Sequence, residues 1–456
     1  MKITKTQGFK FFYKDSILPT LFLSLILLTF SCNSVKKLQK EKTKEYQNLV
    51  QTSTIFNQGF TGFQLYDPSS QEVIFSLNDD KYFTPASNTK IFTFYTALSI
   101  LEDSIPAFRY IIKGDSLIFW GTGDPSLNNS YLSQNEQVIR FLKTRKEALF
   151  FSSQNFKDAR FGAGWAWDDY NYSYQPEKSS FPIYGNVVHF EKEISSDTFE
   201  IVPAYFKDHV IKNNTLNPTH IEREIDRNIF EYNPSFISNT KYKKSHPFKY
   251  SDSLLINLLS ETLDKKVAIL NSDIMSTEDT KVVYSVHSDS LYRMLMQESD
   301  NFIAEQLLLL CSNALFDTLN TAKAIQFSKD SLLNELPDQA NWVDGSGLSR
   351  YNMFTPRSIV FLLDKLLKKI PQDRLFHIFP AGGESGTISS YYKGDKKPYV
   401  FAKTGTLRNK HCLSGYLEAK SGKVLIFSFM HNNYPNGSSV YKEEMEKTLK
   451  AIYLAY

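Results

Sequence analysis

The chain has 456 residues, ordinary proportions of apolar, aromatic and charged residues, and a formal net charge of +3. This length predicts two or three domains with a large core. Residues 1–31 contain four lysines and one aspartate, a net +3, so the remainder of the chain is neutral. A neutral body argues against a nucleic-acid partner.

The N-terminus has the pattern of an export signal. Lys2, Lys5, Lys10 and Lys14 precede an apolar run over residues 17–30, and Ser31-Cys32 follows it. This pattern predicts a signal peptide over residues 1–31. It resembles a bacterial lipoprotein signal, with Cys32 as the lipidated residue and residues 32–52 as a tether; an uncleaved anchor is the alternative. Either reading predicts an envelope protein, periplasmic and held at a membrane.

Alternating apolar residues predict two hairpins in the first part of the chain. The first runs over residues 63–77 around Asp67-Pro68-Ser69-Ser70, and the second over residues 110–119 around Gly114-Asp115. Pro85 and Asn88 between them suit the entry to a helix. Residues 102–280 form a separate block that begins with the second hairpin.

The remainder of the chain is predicted to be mostly helical, with a hairpin near its end. Helical spacing of apolar residues begins at Tyr284, and a further helix fits Pro356–Ile370. Residues 413–430 alternate around a Lys-Ser-Gly-Lys turn, which predicts a hairpin, and a C-terminal amphipathic helix follows.

Ser87 and Lys90 are candidates for a nucleophile and its base. They lie three residues apart at a predicted helix start and therefore share one face. A serine hydroxyl is a poor nucleophile until a base removes its proton, and a lysine amine serves if burial or another cation lowers its pKa. The spacing alone is weak, because a capped and solvated helix start would also explain it.

Two further motifs occur downstream in a fixed order. Ser299-Asp300-Asn301 lies between two helical stretches, and Lys403-Thr404-Gly405-Thr406 ends a predicted strand. This order of three motifs is typical of penicillin-binding proteins and class A β-lactamases.

The three motifs together supply the groups that acyl transfer needs. Ser299 can pass a proton to a leaving nitrogen, and Asn301 can bond a substrate amide. Lys403 adds positive charge that lowers the pKa of Lys90 and attracts a carboxylate, which Thr404 and Thr406 can bind. Gly405 is expected to let substrate backbone lie against the strand. The backbone N–H groups of Ser87 and Thr406 are the candidate oxyanion hole.

The chain resembles the S13 D-alanyl-D-alanine carboxypeptidases, the class C low-molecular-mass penicillin-binding proteins. The resemblance runs from about residue 55 to the end. It rests on the three motifs and on three further stretches, Gly121-Thr122-Gly123-Asp124-Pro125, Gly164-Trp165-Ala166-Trp167-Asp168-Asp169 and Asp344-Gly345-Ser346-Gly347-Leu348-Ser349-Arg350-Tyr351-Asn352.

The resemblance implies an α/β penicillin-binding domain, with a central antiparallel sheet flanked by helices. We expect this domain over residues 53–101 and 281–456, interrupted by one or more inserted β-rich domains over residues 102–280. It also implies cleavage of D-Ala-D-Ala stem peptides and peptidoglycan cross-links, with β-lactams as inhibitors. The segment at residues 384–388 departs from the usual family sequence.

The resemblance also assigns two residues to substrate recognition. Asp168, with Asp169 as the second choice, and Arg350 match an anion and a cation that flank a zwitterionic diaminopimelate side chain in similar enzymes. A structural salt bridge between loops is the alternative. No metal or cofactor is implied, and Cys311 and Cys412 are expected to be buried thiols.

Two other functions remain open on the sequence. A β-lactamase would need fast deacylation, and no separate water-activating glutamate is identified. A catalytically silent penicillin-binding sensor or scaffold would keep the fold without turnover. The intact motifs favour a serine D-Ala-D-Ala carboxypeptidase or endopeptidase.

Overall fold

A computed structural model describes the chain from residue 45 to residue 456, except for residues 133–135, 195, 197, 218–219, 238–240 and 273–277. The predicted signal peptide and Cys32 lie outside the described residues. Residues 45–52, the last part of the predicted tether, form a helix in which Tyr46 and Val50 are buried. Two apolar residues four apart lie on one helix face and pack into the core, so the predicted tether is too long.

Besides the helix over residues 45–52, the α-helices of the described ranges are α1 (Thr89–Ile100), α2 (Glu136–Thr144), α3 (Asp252–Leu263), α4 (Ser288–Gln297), α5 (Asn301–Phe316), α6 (Thr321–Phe327), α7 (Pro356–Lys369), α8 (Gln372–Ile378) and α9 (Ser438–Ala455). The strands are β1 (Phe60–Asp67), β2 (Glu72–Leu77), β3 (Ser104–Lys113), β4 (Ser116–Gly121), β5 (Ala148–Phe151), β6 (Val187–Lys192), β7 (Glu200–Val202), β8 (Val210–Lys212), β9 (Ile221–Arg223), β10 (Phe230–Tyr232), β11 (Tyr242–Pro247), β12 (Val267–Ile269), β13 (Lys281–His287), β14 (Val400–Leu407), β15 (Lys410–Glu418) and β16 (Val424–Asn432). The predicted hairpins are β1–β2, β3–β4 and β15–β16.

The central sheet has five strands in the order β14-β15-β16-β1-β2, and every neighbouring pair is antiparallel. Both of its faces are covered. Along β15, Cys412 and Tyr416 join the core formed with α1, α5 and α7, whereas Leu413 and Leu417 join a second core with α9. Side chains alternate across a strand, so a run that is apolar at every position indicates a sheet buried on both sides. The predicted fold class is confirmed.

The inserted block has a core of its own. A third cluster of buried apolar residues draws all its members from between Ala107 and Val267. It packs around a five-stranded sheet, β12-β5-β4-β3-β13, and two three-stranded sheets, β11-β6-β7 and β8-β10-β9. Separate cores support the predicted division into a catalytic unit and an insert, which stays a prediction.

Residues 281–287 differ from expectation. We expected helix from Tyr284 onward, but Tyr284 lies in β13, which pairs antiparallel with β3 in the sheet of the insert. Helix α4 begins only at Ser288, where the His287 ring accepts a hydrogen bond from Asp289 N. The sheet of the insert therefore extends past the predicted boundary at residue 280. Cys311 and Cys412 are both buried thiols, as expected.

No helix within the described part of the chain combines the length and the apolar character that crossing a membrane requires.

Candidate active site

Ser87 lies in a single turn of 3₁₀ helix, Ala86–Asn88, directly before α1. Asn88 fastens this turn to the central sheet. Its Nδ2 donates to the Lys403 carbonyl oxygen at 2.8 Å, and its Oδ1 accepts from Ser414 Oγ at 2.6 Å. Ala86 adopts a φ of +49°, a conformation uncommon outside glycine. The turn is thus held in one geometry, with Ser87 only partly exposed.

Lys90 is completely buried and connects the first two motifs. Its Nζ lies 3.1 Å from Ser87 Oγ, 2.6 Å from Asn301 Oδ1 and 2.6 Å from the carbonyl oxygen of Ser346. Burial lowers the pKa of Lys90 to about 8, against the nearby carboxylates, which raise it. A lysine in this state supplies a free amine near neutral pH.

Ser299 and Asn301 face the site from the start of α5. Asp300 is the N-cap of this helix and accepts a hydrogen bond from Ile303 N at 2.8 Å. Ser299 adopts a φ of +58°, in the left-handed region, and its Oγ accepts from Lys403 Nζ at 2.8 Å. Asn301 Nδ2 donates to the Tyr174 carbonyl oxygen at 2.9 Å. A serine in strained backbone geometry, held by a hydrogen bond from Lys403, is typical of a functional site.

Gly405 has a structural role that the sequence did not suggest, while its predicted role beside the substrate backbone stays a prediction. A Cβ atom at this position would lie 2.4 Å from Pro85 O, 2.8 Å from Asn88 N and 2.9 Å from Ser87 N. These are backbone atoms of the Ser87 turn, so glycine is required for β14 to approach that turn. The contact also places the strand carrying Thr406 beside the backbone N–H of Ser87, where the oxyanion hole was predicted.

The two threonines of the third motif have side-chain partners that the sequence did not suggest. Thr404 Oγ1 donates to Thr387 Oγ1 at 2.7 Å, and Thr406 Oγ1 lies 2.8 Å from His411 Nδ1. Burial lowers the pKa of His411 to about 3, so its ring is neutral. Thr387 comes from the segment that departs from the usual family sequence.

The loop after α6 is organised by Asp344. Its carboxylate accepts hydrogen bonds from the backbone N–H groups of Gly347 and Ser349 at 2.9 and 2.7 Å, from Asn352 Nδ2 at 2.6 Å and from Trp165 Nε1 at 2.8 Å. Arg350 was the only residue of this stretch predicted to belong to the site. The Asp-Gly-Ser-Gly sequence could have indicated the role of Asp344, because the aspartate of such a turn accepts hydrogen bonds from the backbone of its own loop.

Asp168 and Arg350 share a cavity of about 720 Å³ with Ser87, Asn301 and Thr406. The structure therefore brings the two predicted recognition residues to the cleft that holds the three motifs. Within the described part of the chain neither side chain forms an ion pair, so the alternative of a structural salt bridge between loops gains no support. Asp169 lines the same cavity and bonds to Tyr174.

A family model described as the D-Ala-D-Ala carboxypeptidase 3 (S13) family matches residues 46–452. The chain belongs to this family. The predicted resemblance is confirmed, and with it the hydrolase class. S13 membership also explains why the insert separates the first motif from the second, since the match spans the insert as well as the catalytic unit.

Individual relatives are distant but extend over most of the chain. D-alanyl-D-alanine carboxypeptidase DacB of Haemophilus influenzae is 22% identical over 414 residues, which cover 82% of this chain and 86% of the relative. Penicillin-sensitive carboxypeptidase A of Dictyostelium discoideum is 27% identical and covers 81% and 82%. The crystal structure of penicillin binding protein 4 (dacB) from Haemophilus influenzae superimposes with a TM-score of 0.71, at 20% identity, covering 90% of this chain and 99% of that one. This likeness shows the S13 fold.

Proposed function

We propose that the protein is a serine DD-peptidase that cleaves the D-Ala-D-Ala end, or the equivalent cross-link, of peptidoglycan stem peptides. One observation carries the proposal. Lys90 Nζ reaches both Ser87 Oγ and Asn301 Oδ1 while Lys403 Nζ reaches Ser299 Oγ, so all three motifs meet in one hydrogen-bonded cluster.

Acylation begins when the Lys90 amine takes the proton of the Ser87 hydroxyl. The oxygen then attacks the carbonyl carbon between the two D-alanines and forms a tetrahedral intermediate. The backbone N–H groups of Ser87 and Thr406 stabilise the negative charge on its oxygen. Lys90 is suited to this step because its pKa, lowered to about 8, leaves about a tenth of the amine uncharged at pH 7.

The leaving nitrogen needs a proton before the amide bond breaks. Ser299 is the candidate relay: its hydroxyl gives a proton to the nitrogen and takes up in exchange the proton that Lys90 removed from Ser87, while Lys403 holds its Oγ at 2.8 Å. D-Alanine leaves, an ester remains on Ser87, and water then hydrolyses it. Asn301 bonds the substrate amide, while Lys403, Thr404 and Thr406 bind the terminal carboxylate.

The next part of the stem peptide occupies the cavity beyond Thr406. Its carboxylate and ammonium groups match the guanidinium of Arg350 and the carboxylate of Asp168, which are exposed at this cavity. We therefore propose that these two residues contact the diaminopimelate side chain. This assignment predicts selectivity for a zwitterionic side chain over the simple amine of lysine.

The protein is proposed to act in the bacterial cell envelope. The Haemophilus influenzae relative is named a D-alanyl-D-alanine carboxypeptidase, after a dipeptide unit of peptidoglycan. The N-terminal sequence supports export, with lipid attachment at Cys32 holding the enzyme at a periplasmic membrane surface. Metabolic labelling with a radioactive fatty acid, compared with Cys32→Ala, tests the anchor.

β-Lactam hydrolysis is the competing activity. It needs a group that activates water against the acyl-enzyme. Among the described residues the Ser87 hydroxyl is hydrogen-bonded by Lys90 and the Ser299 hydroxyl by Lys403, and no carboxylate bonds to Ser87. The site thus favours a long-lived penicillin adduct, which makes β-lactams inhibitors.

The proposal is tested by mass spectrometry of the protein lacking residues 1–32 after benzylpenicillin, beside Ser87→Ala. We expect a mass gain of one penicillin on Ser87 in the wild type alone, and D-alanine release from a pentapeptide by the same preparation. An adduct that persists in Ser87→Ala would overturn the assignment of the nucleophile. Acylation without D-alanine release would favour a sensor.

A further inference from the structure

Glu305 is a buried carboxyl group that the mechanism above does not use. It lies on α5 one turn after Asn301, with 1% of its surface exposed. Its Oε1 accepts a hydrogen bond from the backbone N–H of Ser346 at 2.8 Å. Its Oε2 is buried, and no hydrogen-bond partner for it exists in the described ranges.

The next residue shows what a structural side chain does at this depth. Gln306 donates from Nε2 to Gly123 O at 2.7 Å and to Ser179 O at 3.0 Å, and its Oε1 accepts from Ser179 N. Its amide is satisfied on both sides. A half-satisfied buried carboxyl is much more costly, so hydrogen bonding to one N–H is a poor reason for glutamate at position 305.

Ser346 joins Glu305 to the base of the reaction. Its N–H is held by Glu305, while its carbonyl oxygen accepts from Lys90 Nζ at 2.6 Å. The segment lies close against α5, because a Cβ at Gly345 would lie 2.6 Å from Ala304 O. Glu305 therefore acts on Lys90 in two ways, by fixing the acceptor of its ammonium group and by its own charge.

The charged groups around this pair come from every element packed against it. Asp300 lies at the start of the same helix and Asp344 on the loop. Lys403 on β14 is a cation that faces Lys90, and Lys178, on the segment that precedes β6, is a cation that favours ionised Glu305. Burial together with the Asp344 charge raises the pKa of Glu305 to about 7. Lys90 in turn is stabilised as an ammonium by Asp344, Asp300 and Glu305.

We propose that Glu305 is a positioning residue whose negative charge, applied beside Ser346, sets how readily Lys90 gives up its proton. The inference rests on the proposed function, because it assumes that Lys90 is the base toward Ser87. Ionised Glu305 favours the ammonium, and protonated Glu305 favours the free amine. The two groups therefore titrate as a coupled pair near neutral pH.

The test is the acylation rate of benzylpenicillin from about pH 5 to about pH 10 in wild type, Glu305→Gln and Glu305→Asp. Glutamine keeps the acceptor for Ser346 N and removes the charge. In wild type the acylation rate should rise with pH on the acidic side of the profile and then reach a plateau. In Glu305→Gln we expect this rise to occur at a pH lower by about half a unit or more, so that on the acidic side acylation is at least about threefold faster relative to the plateau. The plateau itself should change little.

Glu177→Gln is the matched control. Glu177 is a buried carboxyl of the insert, 2% exposed and bonded to Tyr250 N, whose pKa is also raised by burial. Because Lys90 is not among the groups that face it, its variant should keep the acidic rise at the wild-type pH. A thermal melt of each variant separates loss of folding from loss of rate.

The outcomes are distinguishable. If the acidic side of the Glu305→Gln rate profile coincides with that of wild type, or lies at higher pH, the inference is overturned and the proposed function is left intact. Absence of acylation in the wild type at every pH would instead overturn the proposed function. If Glu305→Gln fails to fold, Glu305→Asp decides. Because it keeps the carboxylate, its acidic rise should stay at the wild-type pH while its plateau rate falls. An acidic rise shifted to lower pH in a folded Glu305→Asp would contradict the charge argument.

Discussion

Replacing Gly405 by alanine distinguishes two reasons for this glycine. If its role is to let substrate backbone approach β14, the variant should fold as the wild type does and lose only substrate binding. The structure gives another reason, because the added Cβ would lie 2.4 Å from Pro85 O and 2.9 Å from Ser87 N. Both are backbone atoms, which cannot swing away as a side chain would.

The expected cost follows from those distances. Contacts become ordinary only at 3.4 Å and beyond, so β14 and the Ser87 turn must separate by about 1 Å. Overpacking of this kind costs about 1–3 kcal/mol of the free energy of unfolding. A displacement of about 1 Å between reacting groups lowers rates about 100-fold. We therefore expect Gly405→Ala to lower both the melting temperature and the acylation rate.

The measurements are a thermal melt and the rate of adduct formation with benzylpenicillin. Gly422→Ala is the control, since Gly422 has a φ of +87° and nothing within 4 Å of its Cβ position; it should lose about 1 kcal/mol of stability and keep the acylation rate. If Gly405→Ala melted with the wild type and acylated within about threefold of it, the close approach of β14 would not be what requires glycine.

Two further predictions concern pH. Acylation by the wild type should fall about tenfold per pH unit below about pH 8, because burial lowers the pKa of Lys90 to about 8 and only the free amine accepts the Ser87 proton; a rate flat down to about pH 6 would contradict this. Stability should also fall in acid, because burial depresses the pKa of His431 in the folded state while the unfolded chain takes up a proton below about pH 6.5. His431→Phe keeps a ring stacked on Phe56 but has no group that takes up a proton. Its free energy of unfolding, measured in urea titrations, should therefore fall less steeply than that of wild type between about pH 6.5 and 5, with the two slopes differing by about 1.4 kcal/mol per pH unit; equal slopes would refute the prediction.

Local patterns predicted the elements of this fold well where one physical signal dominated. The alternation around Asp67-Pro68-Ser69-Ser70 predicted β1–β2, and α7 begins at Pro356, as expected, with Thr355 as its cap. Residues 45–52 were missed because a short charged segment gives weak periodicity, and the burial of Tyr46 depends on the distant core around α9. Tyr284 was assigned to helix because the pairing of β13 with β3 is a long-range property.

In the candidate site, too, residues that carry a local sequence pattern were predicted and residues chosen by long-range contacts were not. The motifs identified Ser87, Lys90 and Lys403 because their chemistry is carried by side chains at fixed short spacings. The carbonyl of Ser346 was beyond such reasoning, since every residue has a carbonyl and only the folded chain selects one. Glu305 was missed for a related reason: a glutamate in an apolar helix gives no local indication of what lies opposite it.

The two buried lysines explain why such a site favours a substrate with a free carboxylate. Lys90 is faced by the anions Asp344, Asp300 and Glu305. Among the described residues the charge that acts on Lys403 is that of Lys90, and burial together with this repulsion holds the pKa of Lys403 well below its usual range. In the proposed mechanism a terminal carboxylate bound at Thr404 and Thr406 would place an anion near Lys403, so its binding would favour the charged form of Lys403 and be linked to proton uptake. The restored positive charge then favours the free amine of Lys90. Recognition of the carboxylate and activation of Ser87 are thereby coupled through one pair of lysines.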